Sequence, residues 1–181
     1  MANTKTRPPE LALPVASLDA LRVALIDTVG ADAAAHALRA AGYAAGDAFF
    51  GILAGPDADD PGAATADRFW RDLARLFASR GWGQLSFRRA HDGVGSLEAT
   101  DWVEARMDAS AEQPSCHFTT GALANILGRT ADGEVAVLEV ECRSRGDQRC
   151  RFLFGSADAV YRLYDQIAAG TSADSAVAEL R

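Results

Sequence analysis

The sequence has no apolar run long enough, and free enough of charge, to cross a membrane. Its nearest approach, the alanine-rich segment from Ala31 to Ala54, carries Asp32, His36, Arg39 and Asp47, each costly in hydrocarbon. That segment reads as a soluble, buried helix. An export leader is also missing, because MANTKTRPPE is polar and the apolar stretch after it is broken by Asp19 and Arg22, so a cytoplasmic location is the expectation. Cysteine is scarce, with three residues in 181. Three thiols cannot all pair within one chain, and no Cys-x-x-Cys occurs. A disulfide framework is thereby set aside, leaving thiols that are free, catalytic or metal-bound. Basic residues number 18 against 25 acidic ones, for a net charge of −7. A partner of nucleic-acid phosphates needs a basic surface, which sets direct nucleic-acid binding aside. Internal repeats are absent, and the only compositional bias is toward alanine.

What remains is ordinary globular usage, 49% hydrophobic and 24% charged, in a length that suits one domain with a sizeable core. The expected organisation is a flexible N-terminal arm over 1–16 and a single domain over 17–181. Its helical half spans 17–81, and its sheet half, with the metal site, spans 82–181. Ser17 is a candidate cap for a helix to about Thr28. A longer helix over 31–54 places Ala34, Leu38, Ala41, Ala45, Phe49 and Ile52 near helical spacing, with Gly42 and Gly46 as a small pair that lets another backbone come close. The acidic run Gly55 to Gly62 reads as a loop. Asp60 and Pro61 then fit the start of a helix that carries Phe69, Trp70, Leu73, Leu76 and Phe77 and stops at Gly81. From Trp82 the pattern changes to short strands, WGQLSF and Val94 to Ala99, around a turn at HDG. A helix over His117 to Gly128, a hairpin of Glu134 to Cys142 with Gln148 to Phe154, and a helix capped by Ser156 complete the reading.

The hairpin holds two of the three cysteines, in EVECRSRGDQRCRF. With Gly146 at the middle of the turn, Cys142 faces Cys150, Val140 faces Phe152, and Leu138 faces Phe154. Opposed β-carbons lie roughly 4.5–5.5 Å apart, which suits a strained cross-strand disulfide or two thiolates on one tetrahedral metal. Two zinc-bound sulfurs sit about 3.7 Å apart, given bonds of ~2.3 Å. The alternative is that both are small core residues, since free cysteine is among the most buried types. Cys116 opens the helix that must pack near this hairpin, and Glu139 or His117 is of acceptable ligand type for a fourth position.

The run CHFTTGALANILG, followed by VAVLEVECRSRGDQRCRF, resembles the 4-vinyl-reductase domain. This is a small-molecule-binding module of bacterial phenol-sensing and other aromatic-sensing regulators, found also in a bacteriochlorophyll-biosynthesis protein. In the phenol-sensing members one upstream Cys, a Glu and two hairpin Cys hold a zinc. The pattern C-x22-E-x2-C-x7-C places that set on Cys116, Glu139, Cys142 and Cys150. In a regular strand Glu139 points away from the face of Cys142, so joint ligation requires a β-bulge between them. Without one, His117 or water is the better fourth ligand. Arg143, Arg145, Arg149 and Arg151 lie near enough in sequence to offset the charge of three thiolates and a carboxylate.

The resemblance implies an α+β fold, helices packed on an antiparallel sheet with a cysteine-bearing C-terminal hairpin and a final helix, the architecture shared with subunits of the TRAPP vesicle-tethering complex. It also implies a structural zinc, a homodimer joined through N-terminal helices including the Gly42/Gly46 helix, and a pocket for an aromatic or other hydrophobic molecule. Candidates for its lining are Phe69, Trp70, Phe77, Trp82, Phe87, Trp102 and Phe118. His91 and Trp102 are candidate substitutes for the His and Trp that bind the phenol hydroxyl in phenol sensors. A non-catalytic binding or sensing domain, signalling through a separate regulatory protein, is the leading reading. An accessory or catalytic factor in tetrapyrrole metabolism and an architectural dimer are the alternatives. Enzymatic readings are weaker, with no catalytic residue assigned. Cys116 and His117 are sequence neighbours, which seldom converge as a dyad, and GVGSLE lacks the third glycine of a dinucleotide loop.

Overall fold

The computed structural model describes residues 9–54, 65–106 and 111–180. The loop expected over Gly55 to Gly62 and the helix start expected at Asp60 and Pro61 lie outside them, as does the beginning of the expected arm. Six helices and four strands follow in the order α1 (Val15–Val29), α2 (Ala31–Ala54), α3 (Ala66–Ala78), β1 (Ser86–His91), β2 (Val94–Ala99), α4 (His117–Ala131), β3 (Ala136–Glu141), β4 (Cys150–Gly155), α5 (Ala157–Ala168) and α6 (Ala173–Ala178). The strands form one antiparallel sheet in the order β1-β2-β4-β3. This is the α+β architecture that the resemblance implies.

Local chemistry explains most boundaries. Thr65 caps α3 by accepting from the Arg68 N–H, Ser156 caps α5 through Ala159, and Ser172 caps α6 through Ser175. The first helix begins two residues before Ser17, behind Pro14, because proline's fixed φ suits an entry point. Trp82 to Leu85, read as strand, precedes β1, and Tyr164 of α5 faces solvent at 54% exposure.

The inner face of the sheet carries Leu97, Phe152 and Cys150 and is covered by α3 and α4, with Leu73, Phe77, Leu123 and Ile126 closing the main core. On the outer face, α5 and α6 pack Leu163, Ala176 and Val177 against Val94, Val140 and Leu153. Strand alternation produces the two cores: Arg151 and Leu153 point one way, Cys150 and Phe152 the other.

Gly42 and Gly46 do let another backbone come close, but the partner is α4 of the same chain. A β-carbon on Gly42 would lie 1.9 Å from the Phe118 carbonyl oxygen, and one on Gly46 would lie 2.5 Å from Asn125 Cβ. That face of α2 is therefore occupied within the protomer and is closed to a second copy. Gly42→Ala is expected to cost about 3 kcal/mol through overpacking against rigid backbone, a fall of roughly 6–12 °C in Tm. A thermal melt unchanged from wild type would show that α2 and α4 are not so closely apposed.

Candidate metal centre

Three free thiols converge at the end of the inner core. Cys116 immediately precedes α4, Cys142 follows β3, and Cys150 opens β4, all fully buried. The Cys116 sulfur lies 3.9 Å from that of Cys142 and 3.8 Å from that of Cys150. Disulfide bonding requires about 2.05 Å, whereas sulfurs on a tetrahedral metal sit about 3.7 Å apart. The spacing thus matches ligation rather than cross-linking.

Glu139 completes the group. Its Oε2 accepts from the Cys116 N–H at 2.8 Å, while Oε1 is buried with no hydrogen-bond partner. One ligand atom from each of Cys116, Glu139, Cys142 and Cys150 lies within 4.8 Å of every other. The strand parity that stood against Glu139 is resolved by a register shift between Glu139 and Glu141. Glu139 pairs with Phe152 and Glu141 with Arg151, leaving Val140 as the extra residue of a bulge. The extra residue turns Glu139 to the same side as Cys142. It also corrects the expected register, since Leu138 faces Leu153 and not Phe154. Beyond β3, a 3-10 turn at Arg143–Arg145 and a left-handed Gly146 at φ 96° bring the chain back toward Cys150.

Burial sets the electrostatics. It pushes the Cys116 thiol and the Glu139 carboxyl well above their ordinary ranges. Cys142 is held far below the usual thiol range by hydrogen bonds from Cys116 and Cys150. Such a set shares roughly one negative charge while it holds protons, and a dipositive ion reverses that logic by letting all four groups ionise. The orphaned carboxylate oxygen and the sulfur spacing both fit a metal ion, for which these four residues would be the ligands. With four protein ligands the ion would pin the start of α4 to the hairpin. His117 lies outside this cluster, and burial, then the charge of Arg39, lowers its pKa to about 4.

The arginines expected to offset the cluster are engaged elsewhere. Arg145 donates to Asp147 and to the Val140 carbonyl. Arg149 binds Glu98 and Glu141, and Arg151 binds Glu141 and Asp174. Arg151 alternates with Cys150 and Phe152 along β4, so its side chain lies on the other face of the sheet.

A second buried network, absent from the sequence reading, fixes α4 from the other side. Glu104, 1% exposed, accepts from the Phe118 and Thr119 N–H groups at 2.9 Å each, from the Thr119 hydroxyl, and from Arg22 at 3.4 Å. The Trp102 indole N–H donates to Thr119 Oγ1 at 2.8 Å, which commits the threonine proton to Glu104. Burial, the largest influence, raises the Glu104 pKa, and the Thr119, Arg22 and Phe118 contacts oppose it. Every surrounding group is a donor, so the carboxylate form is the one that fits. Only a charged residue inside the apolar run WVEA hinted at this role.

The candidate pocket residues form a chain of touching rings. Phe77 contacts Phe49, Trp82 and Trp102, and Trp82 stacks on Phe118 at 5.4 Å. Trp102 meets Phe152 at 6.2 Å, while Phe69, Trp70, Phe87 and Phe154 make a second group near β1. His91 lies at the β1–β2 turn and Trp102 just past the far end of β2, so the two are not brought together. GVGSLE falls mainly within β2, whereas a dinucleotide loop links a strand to a helix.

Residues 100–156 match the family model of the 4-vinyl-reductase domain. An uncharacterized protein of Methanocaldococcus jannaschii is 30% identical over 83 residues, which are 46% of this chain and 44% of that relative. The match thus spans less than half of that relative. Among solved structures, the phenol-responsive sensory domain of the transcription activator PoxR, with phenol, superposes with a TM-score of 0.71 at 18% identity, over 90% of this chain and 84% of the other. A vinyl-4-reductase family protein from Methanocaldococcus jannaschii gives 0.54 at 18% identity, over 80% and 82%. At this identity the two structures speak for the fold. Residues 117–156 supply α4, β3 and β4, and Cys116, Glu139, Cys142 and Cys150 all fall inside the matched segment; this segment is a 4-vinyl-reductase domain, and the resemblance to that family read from the sequence holds for the chain.

Proposed function

We propose that the protein is a binding or sensing domain for an aromatic or other hydrophobic small molecule, held in shape by a structural zinc on Cys116, Glu139, Cys142 and Cys150. One observation carries the reading: the three thiols belong to the same buried core as Phe77, Trp102 and Phe152, with Trp82 and Phe49 packed against it. A clasp at one end of an aromatic interior can hold a ligand-sized space open or closed without taking part in chemistry. The likeness in fold to a domain whose structure contains phenol supports the same class of ligand. The whole chain from 17 to 181 acts as one such domain in a soluble, cytoplasmic protein, without catalytic residues, and any signal passes to a separate regulatory protein. A second copy packs on the outer face of α1, where Leu21, Val23, Ile26 and Val29 stand exposed.

Native mass spectrometry of the purified protein tests the ligand and the dimer together. The expected spectrum is a dimer with one metal per chain and a retained apolar molecule. Phenol added to the ligand-free protein should quench tryptophan fluorescence saturably, and Trp82→Ala should weaken that binding at least tenfold. Absence of a retained molecule together with non-saturating quenching by phenol and by naphthalene would reject the reading.

A further inference from the structure

The outer face of the sheet is only half covered by α5 and α6. The uncovered half opens into a cleft of about 370 Å³ whose walls include Arg88, Arg89, Arg149 and Arg151, a basic concentration in a chain of net charge −7. The two inner arginines are held rigidly. Arg149 donates to Glu98 at 3.0 Å and to Glu141 at 2.8 and 3.0 Å. Arg151, its side chain 8% exposed, reaches Ser96 at 3.3 Å, Glu141 at 3.1 Å and Asp174 at 2.6 Å.

The two outer arginines are different. Arg88 and Arg89 are 72% and 79% exposed, and their carboxylate neighbours, Glu98 at 3.6 Å and Asp92 at 3.9 Å, lie beyond hydrogen-bond reach. Neither guanidinium makes a hydrogen bond among the described residues. Fixed floor and free rim together form a clamp with open donors, and the planar fork of arginine matches an oxyanion.

Asp174 acts as an internal stand-in. Its side chain is 81% exposed, yet one oxygen rests on the buried Arg151. Four arginines face the carboxylates of Glu98, Glu141 and Asp174, so moving Asp174 aside leaves four positive against two negative groups. An excess of two charges suits a dianion. A cleft of this volume is of small-molecule size, and Val177 and Ala178 add an apolar patch to its wall. We propose that this cleft binds a small molecule bearing a phosphate group, which displaces Asp174 from Arg151. The site lies across the sheet from the thiol cluster and is independent of it.

Inorganic phosphate and glycerol 3-phosphate, titrated into the full chain at constant ionic strength, test this by amide chemical shifts. The expected result is saturable shifts at residues 88–98, 149–151 and 174–178, with glycerol 3-phosphate binding more tightly. The double variant Arg88→Ala/Arg89→Ala should weaken binding at least tenfold with unchanged Tm, since both side chains are exposed. Asp174→Asn should tighten it severalfold, an effect that a merely structural latch would not produce. Linear, non-saturating shifts, an adventitious ion effect only, would overturn the proposal. Wild-type affinity in the double variant, or weaker binding in Asp174→Asn, would overturn it equally.

Discussion

Cys150→Ser is expected to abolish metal retention and to unfold the protein at a markedly lower temperature. Metal content measured by elemental analysis should fall from about one ion per chain to well under a tenth. The stability loss should reach about 4–5 kcal/mol, the range associated with a lost metal site. The reason lies in the geometry: Cys150 supplies one of three sulfurs at 3.8–3.9 Å from a common neighbour, and serine offers a shorter, harder and more protonated donor. Chelation of the wild type should have the same effect. The pH dependence carries a definite sign. Burial holds protons on Cys116 and Glu139 that a metal must displace, so apparent metal affinity should rise with pH and uptake should release protons. A chelator-stripped protein that keeps its full Tm would return the three cysteines to plain core packing.

Glu104→Ala is expected to be nearly as damaging, although the residue touches none of the candidate ligands through its side chain. Its carboxylate satisfies the Phe118 and Thr119 N–H groups at the start of α4 and pairs with Arg22 of α1. Removing it orphans backbone donors at a helix start and strands a guanidinium 7% exposed. A loss of about 3–5 kcal/mol follows, read as a Tm fall of roughly 10 °C or more. Arg22→Met should cost distinctly less, because Glu104 keeps its donors from α4. Trp102 fluorescence should report the change, since its N–H ties into the same threonine. A Glu104→Ala protein within about 1 kcal/mol of wild type would show that α4 is held by its packing alone.

The damage should extend to the metal. Cys116 leads directly into α4, and its own side chain makes no cap, so the position of its sulfur depends on what holds the first turn. Glu104 holds that turn on one side and Glu139 on the other. Reduced metal retention in Glu104→Ala, without loss of any ligand, is the expected companion result.

Which residues gather at the metal centre was legible because their spacing is carried by local structure. A helix start and a two-stranded hairpin are short-range objects, and C-x22-E-x2-C-x7-C records one turn of each. The glycine pair in α2 announced a close approach for the same reason: only the missing side chain mattered. Glu104 was not legible, since its partners lie on helices 82 residues before it and 14 and 15 residues after it. The partner of Gly42 and Gly46 was misassigned on similar grounds, because a small-residue face specifies close contact but not with what.

The sequence by itself determined the helices and strands, the absence of a paired-cysteine framework, and the identity of three thiols and a carboxyl as a set. Period, capping chemistry and turn residues act over a few positions and need no partner. Tertiary structure decided three things: that a bulge at Val140 turns Glu139 toward the thiols, that α4 and not a second chain fills the groove of α2, and that Arg149 and Arg151 face away from the cluster. Each depends on which face of an element meets which neighbour. A single residue's insertion reverses that face, and only the packed chain fixes it.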